Sequence, residues 1–130
     1  DLGGRVVDVV PIPGHQGAHI ALYDAKYELL LTGDTLYPGR LYIQDFDAYV
    51  ASVQRLVSFT QTHPVTHVLG THIEMTTTPG QDFDFGVDQH PNERALELTL
   101  SHLQELEAAV VAMGGNPELE VHDDFIISPL

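Results

Sequence analysis

The sequence predicts an α/β chain of the α+β kind: a mainly antiparallel or mixed sheet carrying two helices on one face. Three observations lead there. Short runs rich in β-branched and aliphatic residues are each closed by turn residues, as strands are. Two longer stretches change their apolar spacing to three and four, the period of a helix. The resulting order is three strands, helix, strand, helix, strand, with no repeat or low-complexity tract between them.

Residues 6–12 form the first apolar run, closed by Pro13-Gly14, and residues 18–23 form the second, ended by Asp24-Ala25-Lys26. Residues 28–32 continue with Leu29-Leu30-Leu31, too short for a helix and stopped by Gly33, so the three make an antiparallel meander. Over residues 46–60, Phe46, Val50, Val53 and Val57 fall on one helical face, with Asp45 or Asp47 as cap and His63-Pro64 as stop. Residues 65–70 are a further strand, and 76–91 a long loop with Pro79-Gly80 and Gly86. Asn92 caps a second helix running to Met113, striped with Leu96, Leu100, Leu103, Leu106 and Val110 and ended by Gly114-Gly115; residues 120–127 close the chain as a strand.

At 130 residues, with 43% hydrophobic and 18% charged, the chain reads as a single globular domain, residues 1–130. Its formal charge is −14, and Arg5, Lys26, Arg40, Arg55 and Arg94 are scattered, so nucleic acid is not an expected partner. No apolar run approaches the roughly 20 residues of a membrane span, and a soluble, cytoplasmic setting without membrane contact is expected. There is no cysteine, so any metal site must use nitrogen and oxygen ligands, and eight histidines are available. The first residue is Asp1 and not methionine, which is read as a sign of a processed or excised piece.

Three strands run into a candidate ligand: 6–12 into Pro13-Gly14-His15, 28–32 into Gly33-Asp34, and 65–70 into Thr71-His72. A strand end holds a side chain at the rim of a sheet, and a nearby glycine allows close approach. Two imidazoles and a carboxylate meeting there would suit zinc, iron or manganese. Taken singly, each also has a plain reading as a loop or turn residue.

On these residues the chain resembles the metallo-β-lactamase superfamily. The resemblance is carried by Pro13-Gly14-His15-Gln16-Gly17 with Ile20-Ala21-Leu22-Tyr23, by Leu30-Leu31-Thr32-Gly33-Asp34-Thr35-Leu36, and by Val68-Leu69-Gly70-Thr71-His72. It implies a metal-dependent hydrolase with two divalent metal ions, zinc before iron or manganese. His15 would complete the first metal site, Asp34 would bridge the two, and His72 would bind the second. The nucleophile would be a metal-bound hydroxide derived from water, with no side-chain nucleophile; the chain has no cysteine and no Gly-x-Ser-x-Gly. Family substrates include esters, thioesters, lactones, lactams and phosphodiesters, so a small-molecule substrate is implied without its class. The family's leading His-x-His-x-Asp-His run precedes the Pro-Gly-His motif and does not occur in this chain. The resemblance therefore implies the C-terminal half of a four-layer αββα domain, inactive in isolation and partnered by its N-terminal half or by self-association.

Other residues carry two readings each. His19 is placed to orient a ligand or to act as an extra one, and Glu74 to orient an imidazole or to face water. Tyr37 and Arg40, close after Asp34, either touch substrate or, for the arginine, pair with surface acid; His90 lines the mouth of the site or is simply exposed. His63 and His67 read as surface groups. The rival to the enzyme is a non-catalytic half-domain serving as a dimerisation or partner-binding module; a cupin-type barrel would need a His-x-His pair followed by glutamate, which is missing.

Overall fold

The computed structural model describes residues 2–130 and contains two sheets and two helices. Strands β1 (Val7–Pro11), β2 (Ile20–Asp24) and β3 (Leu29–Gly33) form the expected antiparallel meander, and β5 (His67–Gly70) joins β3 in parallel, giving the order β1-β2-β3-β5. The alternation along these strands sorts their side chains. Val10, Ala21, Tyr23, Leu30 and Val68 are buried on one face, beneath the helices. Val9, Ile20 and Leu31 remain exposed on the other.

A single sheet was expected, and a second one is present: β4 (Arg40–Ile43) runs parallel to β7 (Ile126–Pro129), which pairs antiparallel with β6 (Glu120–Val121). The expected strand at 120–127 is thus two strands, because the chain turns at Asp123-Asp124 and the His122 amide donates to the Phe125 carbonyl. Strand β4 gave little sequence signal, being four residues long after Pro38-Gly39 with only Leu41 and Ile43 turned to the core.

Helix α1 (Phe46–Thr60) has the expected bounds, and Asp45 is its cap, accepting from the Ala48 amide at 3.0 Å. Its most buried side chains are Tyr49, Ser52, Val53 and Leu56, so the docked face is turned relative to the stripe through Phe46, Val50 and Val57, which pack at its border. Helix α2 spans Leu100–Met113 and starts later than expected. Asn92 has φ of 60° and caps nothing; instead Leu98 exchanges two 2.9 Å backbone bonds with Val68, using the free edge of β5, and Thr99 and His102 form the capping box. Leu96 belongs to this extended approach and not to the helix stripe. Leu103, Leu106 and Val110 of α2 are fully buried against α1 and the sheet. Among the described residues no helix is long and apolar enough to cross a membrane.

Candidate metal centre

The parallel pairing of β3 with β5 brings two of the three motif strand ends side by side, and the turn after β1 delivers the third. Gly33 pairs with Gly70, so Asp34 and His72 leave neighbouring strands at the same rim. A side chain at Gly70 would collide with the Leu36 carbonyl and the Tyr37 Cβ, and one at Gly33, whose φ is +55°, with the His19 ring. The glycines let the loops bearing the polar groups close onto the sheet.

Asp34 lies at the centre. Its Oδ1 is 2.9 Å from His72 Nε2 and its Oδ2 is 3.3 Å from His15 Nε2, so each carboxylate oxygen faces a different imidazole. The carboxylate is fixed by the Thr71 hydroxyl, which donates to Oδ1, and the Asp34 amide donates to His19 Nε2 at 3.3 Å. Burial pushes the Asp34 carboxyl up, but the Thr71 hydrogen bond and the neighbouring His72, His15 and His19 outweigh it and hold the group below the usual carboxylate range. Asp34 is therefore ionised at neutral pH.

The tautomers follow from the partners. His15 Nδ1 lies 2.7 Å from the Tyr42 carbonyl, which can only accept, so Nδ1 carries a proton and Nε2 is the nitrogen turned to Asp34. A lone pair and a carboxylate facing each other need a proton or a cation between them, and two nitrogens with a shared carboxylate are donors that hard-to-borderline divalent cations accept. His15 Nε2, both Asp34 oxygens and His72 Nε2 are thus the atoms available to a metal. Among the described residues no group of three or more His, Asp or Glu side chains gathers closely enough to enclose an ion by itself. Asp34 stands between the two imidazoles, one carboxylate oxygen toward each.

The remaining sequence candidates divide. His19 stands behind Asp34: its Nε2 accepts the Asp34 amide, its Nδ1 lies 3.2 Å from Thr35 Oγ1, and its ring centroid is 5.7 Å from that of His15. Burial lowers its pKa, in keeping with a neutral ring. His19 Nε2 is thus engaged by the Asp34 amide. Tyr37 is buried, its hydroxyl donating to the Arg40 carbonyl and its ring edge set against His72 at 5.0 Å between centroids; burial drives its pKa up. Nothing of Tyr37 is open to substrate from this position.

The Arg40 guanidinium is paired with acid, bonding Glu74 and Asp82, each at 2.7 Å. The Glu74 carboxylate touches no imidazole directly; it accepts from the Arg40 amide and from the Arg40 side chain. His90 stacks on Phe83 at 4.2 Å and pairs with Glu93, part of the 76–93 loop's own packing. That loop surrounds a separate cavity of about 440 Å³ lined by Thr76, Asp82, Phe83, Val87 and Asn92 among others. His63 stacks on Phe59, and His67 is exposed. Thr71, Thr35 and the Tyr42 carbonyl escaped sequence reading; a threonine before a histidine and a backbone carbonyl carry no signal of their own.

The sequence profile of the metallo-beta-lactamase superfamily matches residues 1–115, nearly the whole chain and all three motif ends. The chain belongs to the metallo-beta-lactamase superfamily. Within that superfamily it is similar to proteins named acyl-coenzyme A thioesterase MBLAC2. The chicken (Gallus gallus) protein is 33% identical over 78 residues, covering 57% of this chain and 28% of the relative. The cattle (Bos taurus) and human (Homo sapiens) proteins are each 34% identical over 77 residues, 55% of this chain and 27% of theirs. The matched stretch is thus under a third of the length of these relatives. The α+β architecture, with helices on one face of a mixed sheet, agrees with part of a metallo-beta-lactamase domain, and membership supports a hydrolase role and divalent metals in general.

Proposed function

We propose that these residues are the C-terminal half of a metallo-beta-lactamase domain, supplying His15, Asp34 and His72 to a two-metal hydrolytic centre, with acyl thioesters as the substrate class. One observation carries the reading: the two oxygens of Asp34 each face a different imidazole nitrogen, which is how a carboxylate would sit between two cations. When bound there, two divalent ions, zinc foremost, would lower the pKa of a shared water to form hydroxide and polarise the scissile carbonyl.

The chain's own groups have defined tasks in that centre. Asp34, ionised, supplies the negative charge that two cations would share. Tyr42 holds the His15 ring through Nδ1, and Thr71 and His19 hold the Asp34 carboxylate and amide. Water is the nucleophile in this reading, and residues 1–130 hold no cysteine and no serine in a nucleophile motif. The thioester class is supported by the names of the relatives. Arg5, Arg40 and Arg94 are each paired with a carboxylate of the chain.

The sheet face opposite the helices supports the half-domain reading. Ile20, Leu22, Leu31, Leu69 and Leu96 line an apolar hollow of about 400 Å³ there, whose far wall includes Gly33 and Thr71 beside the candidate ligands. In the whole protein the N-terminal half would cover this face and bring the remaining ligands to the same rim. The same face is what a non-catalytic association module would use, and that is the second reading; a soluble, cytoplasmic enzyme acting on a small molecule is the first.

Hydrolysis by the full-length protein decides between them. Palmitoyl-coenzyme A and a simple phenyl ester are offered with and without prior chelation. The enzyme reading expects thioester turnover that disappears with the metal and returns with added zinc; absence of turnover and of metal, with a stable dimer through this chain, supports the module.

A further inference from the structure

We propose that Arg40 is a positioning residue for His72: it staples the segment that follows His72 to the 38–40 turn and, through Tyr37, steadies the His72 ring. The inference rests on the reading of His72 as a ligand. His72 is 56% exposed, so packing alone does not fix its ring. Its segment has left β5 at Gly70, and its anchors lie two to three residues on, where Glu74 and Met75 amides donate to the Pro38 carbonyl at 2.7 and 3.2 Å.

Arg40 completes that seam from both its backbone and its side chain. Its amide donates to Glu74 Oε1 at 3.0 Å and its Nη2 to Glu74 Oε2 at 2.7 Å, so one carboxylate grips the start of β4 at two points. Its Nη1 donates to Asp82 Oδ2 at 2.7 Å and to the Phe83 carbonyl at 2.9 Å, and the guanidinium lies 4.0 Å over the Phe85 ring. The Phe83 amide in turn donates to the Glu74 carbonyl at 2.9 Å. Meanwhile the Arg40 carbonyl accepts the Tyr37 hydroxyl, and the Tyr37 ring edge meets His72. One residue therefore ties together the backbone behind His72 and the ring beside it. The Arg40 side chain is only 12% exposed, so these pairs are better shielded than surface ones, and a planar fork is needed to serve them together.

The test uses the full-length protein carrying Arg40→Met, Arg40→Lys or Glu74→Gln, with three readouts. In metal-free protein labelled with carbon-13 in its histidine rings, the His72 signal of Arg40→Met is expected to move toward that of a freely solvated histidine while the other histidines stay in place. Zinc affinity at the second site, the one His72 would serve, should fall by about tenfold or more, the size of effect usual for a residue that orients a ligand. On the thioester, kcat should drop while KM changes by less than about twofold, and Arg40→Lys should recover part of the loss. Glu74→Gln should shift all three in the same direction by less, and it keeps the test alive if Arg40→Met fails to fold. A raised KM with unchanged kcat, zinc affinity and His72 signal would make Arg40 a substrate contact and overturn the proposal, as would no change in any readout. If the unaltered protein binds no zinc, the ligand reading of His72 falls by itself, and the metal-free histidine spectrum still judges the staple.

Discussion

Asp34→Asn is expected to lower thioester hydrolysis by the full-length protein by about a hundredfold or more while leaving its metal-free fold intact. The size follows from position: residues that merely orient a ligand cost about 10- to 100-fold when changed, and Asp34 faces both imidazoles directly. The intact fold follows from shape. Asparagine is nearly isosteric, its carbonyl can still accept the Thr71 hydroxyl, and its amide can donate to one of the two imidazole nitrogens that the carboxylate only faces. What is lost is the negative charge that two cations would share. Steady-state hydrolysis and urea unfolding of the metal-free protein, measured on the same variant, separate the two effects. Activity equal to that of the unaltered protein would remove Asp34 from the centre.

Leu103→Ala acts on stability and not on chemistry. Leu103 has no exposed surface and sits one turn into α2, where Leu106 and Val110 continue the docked face against α1. Truncation removes buried methyl groups and leaves a cavity that two helices and a sheet cannot collapse, at a cost of about 2–5 kcal/mol. The shift of the urea midpoint at constant slope measures it. A loss under about 0.5 kcal/mol would mean that α2 is not docked through this residue.

The parts of the molecule that were legible in the sequence are those where local pattern and tertiary environment agree. The meander, α1 and the three motif ends are of this kind: Pro13-Gly14, Gly33 and Gly70 punctuate alternating strands, and the strand ends then meet because β3 and β5 pair. The start of α2 was not legible, because residues 92–98 keep an apolar spacing compatible with a helix, while the free edge of β5 captures Leu98. Strand β4 was missed because its partner, β7, lies more than eighty residues away in the chain. A separation of 34 residues hid the pairing of Arg40 with Glu74 in the same way. A charged residue announces only that it wants a partner, and the partner is chosen by the fold; Arg94 and Asp124 repeat the point.

The family motifs behave differently from the charge pairs. His15 and His72 stand out in the sequence at glycine-flanked strand ends, but the Tyr42 carbonyl beside His15 and the Thr71 hydroxyl on Asp34 are visible only in three dimensions. His19, noticed for its spacing from His15, accepts the Asp34 amide through Nε2.

The central claim is that Asp34 stands between two cations held with the help of His15 and His72. Metal content per chain, measured on the full-length protein and on its His72→Ala variant after equilibration with zinc and removal of excess, tests it most directly. The account expects about two zinc ions in the unaltered protein and about one in the variant, with hydrolysis falling in step. Equal zinc content in the two proteins, or none in either, would contradict it.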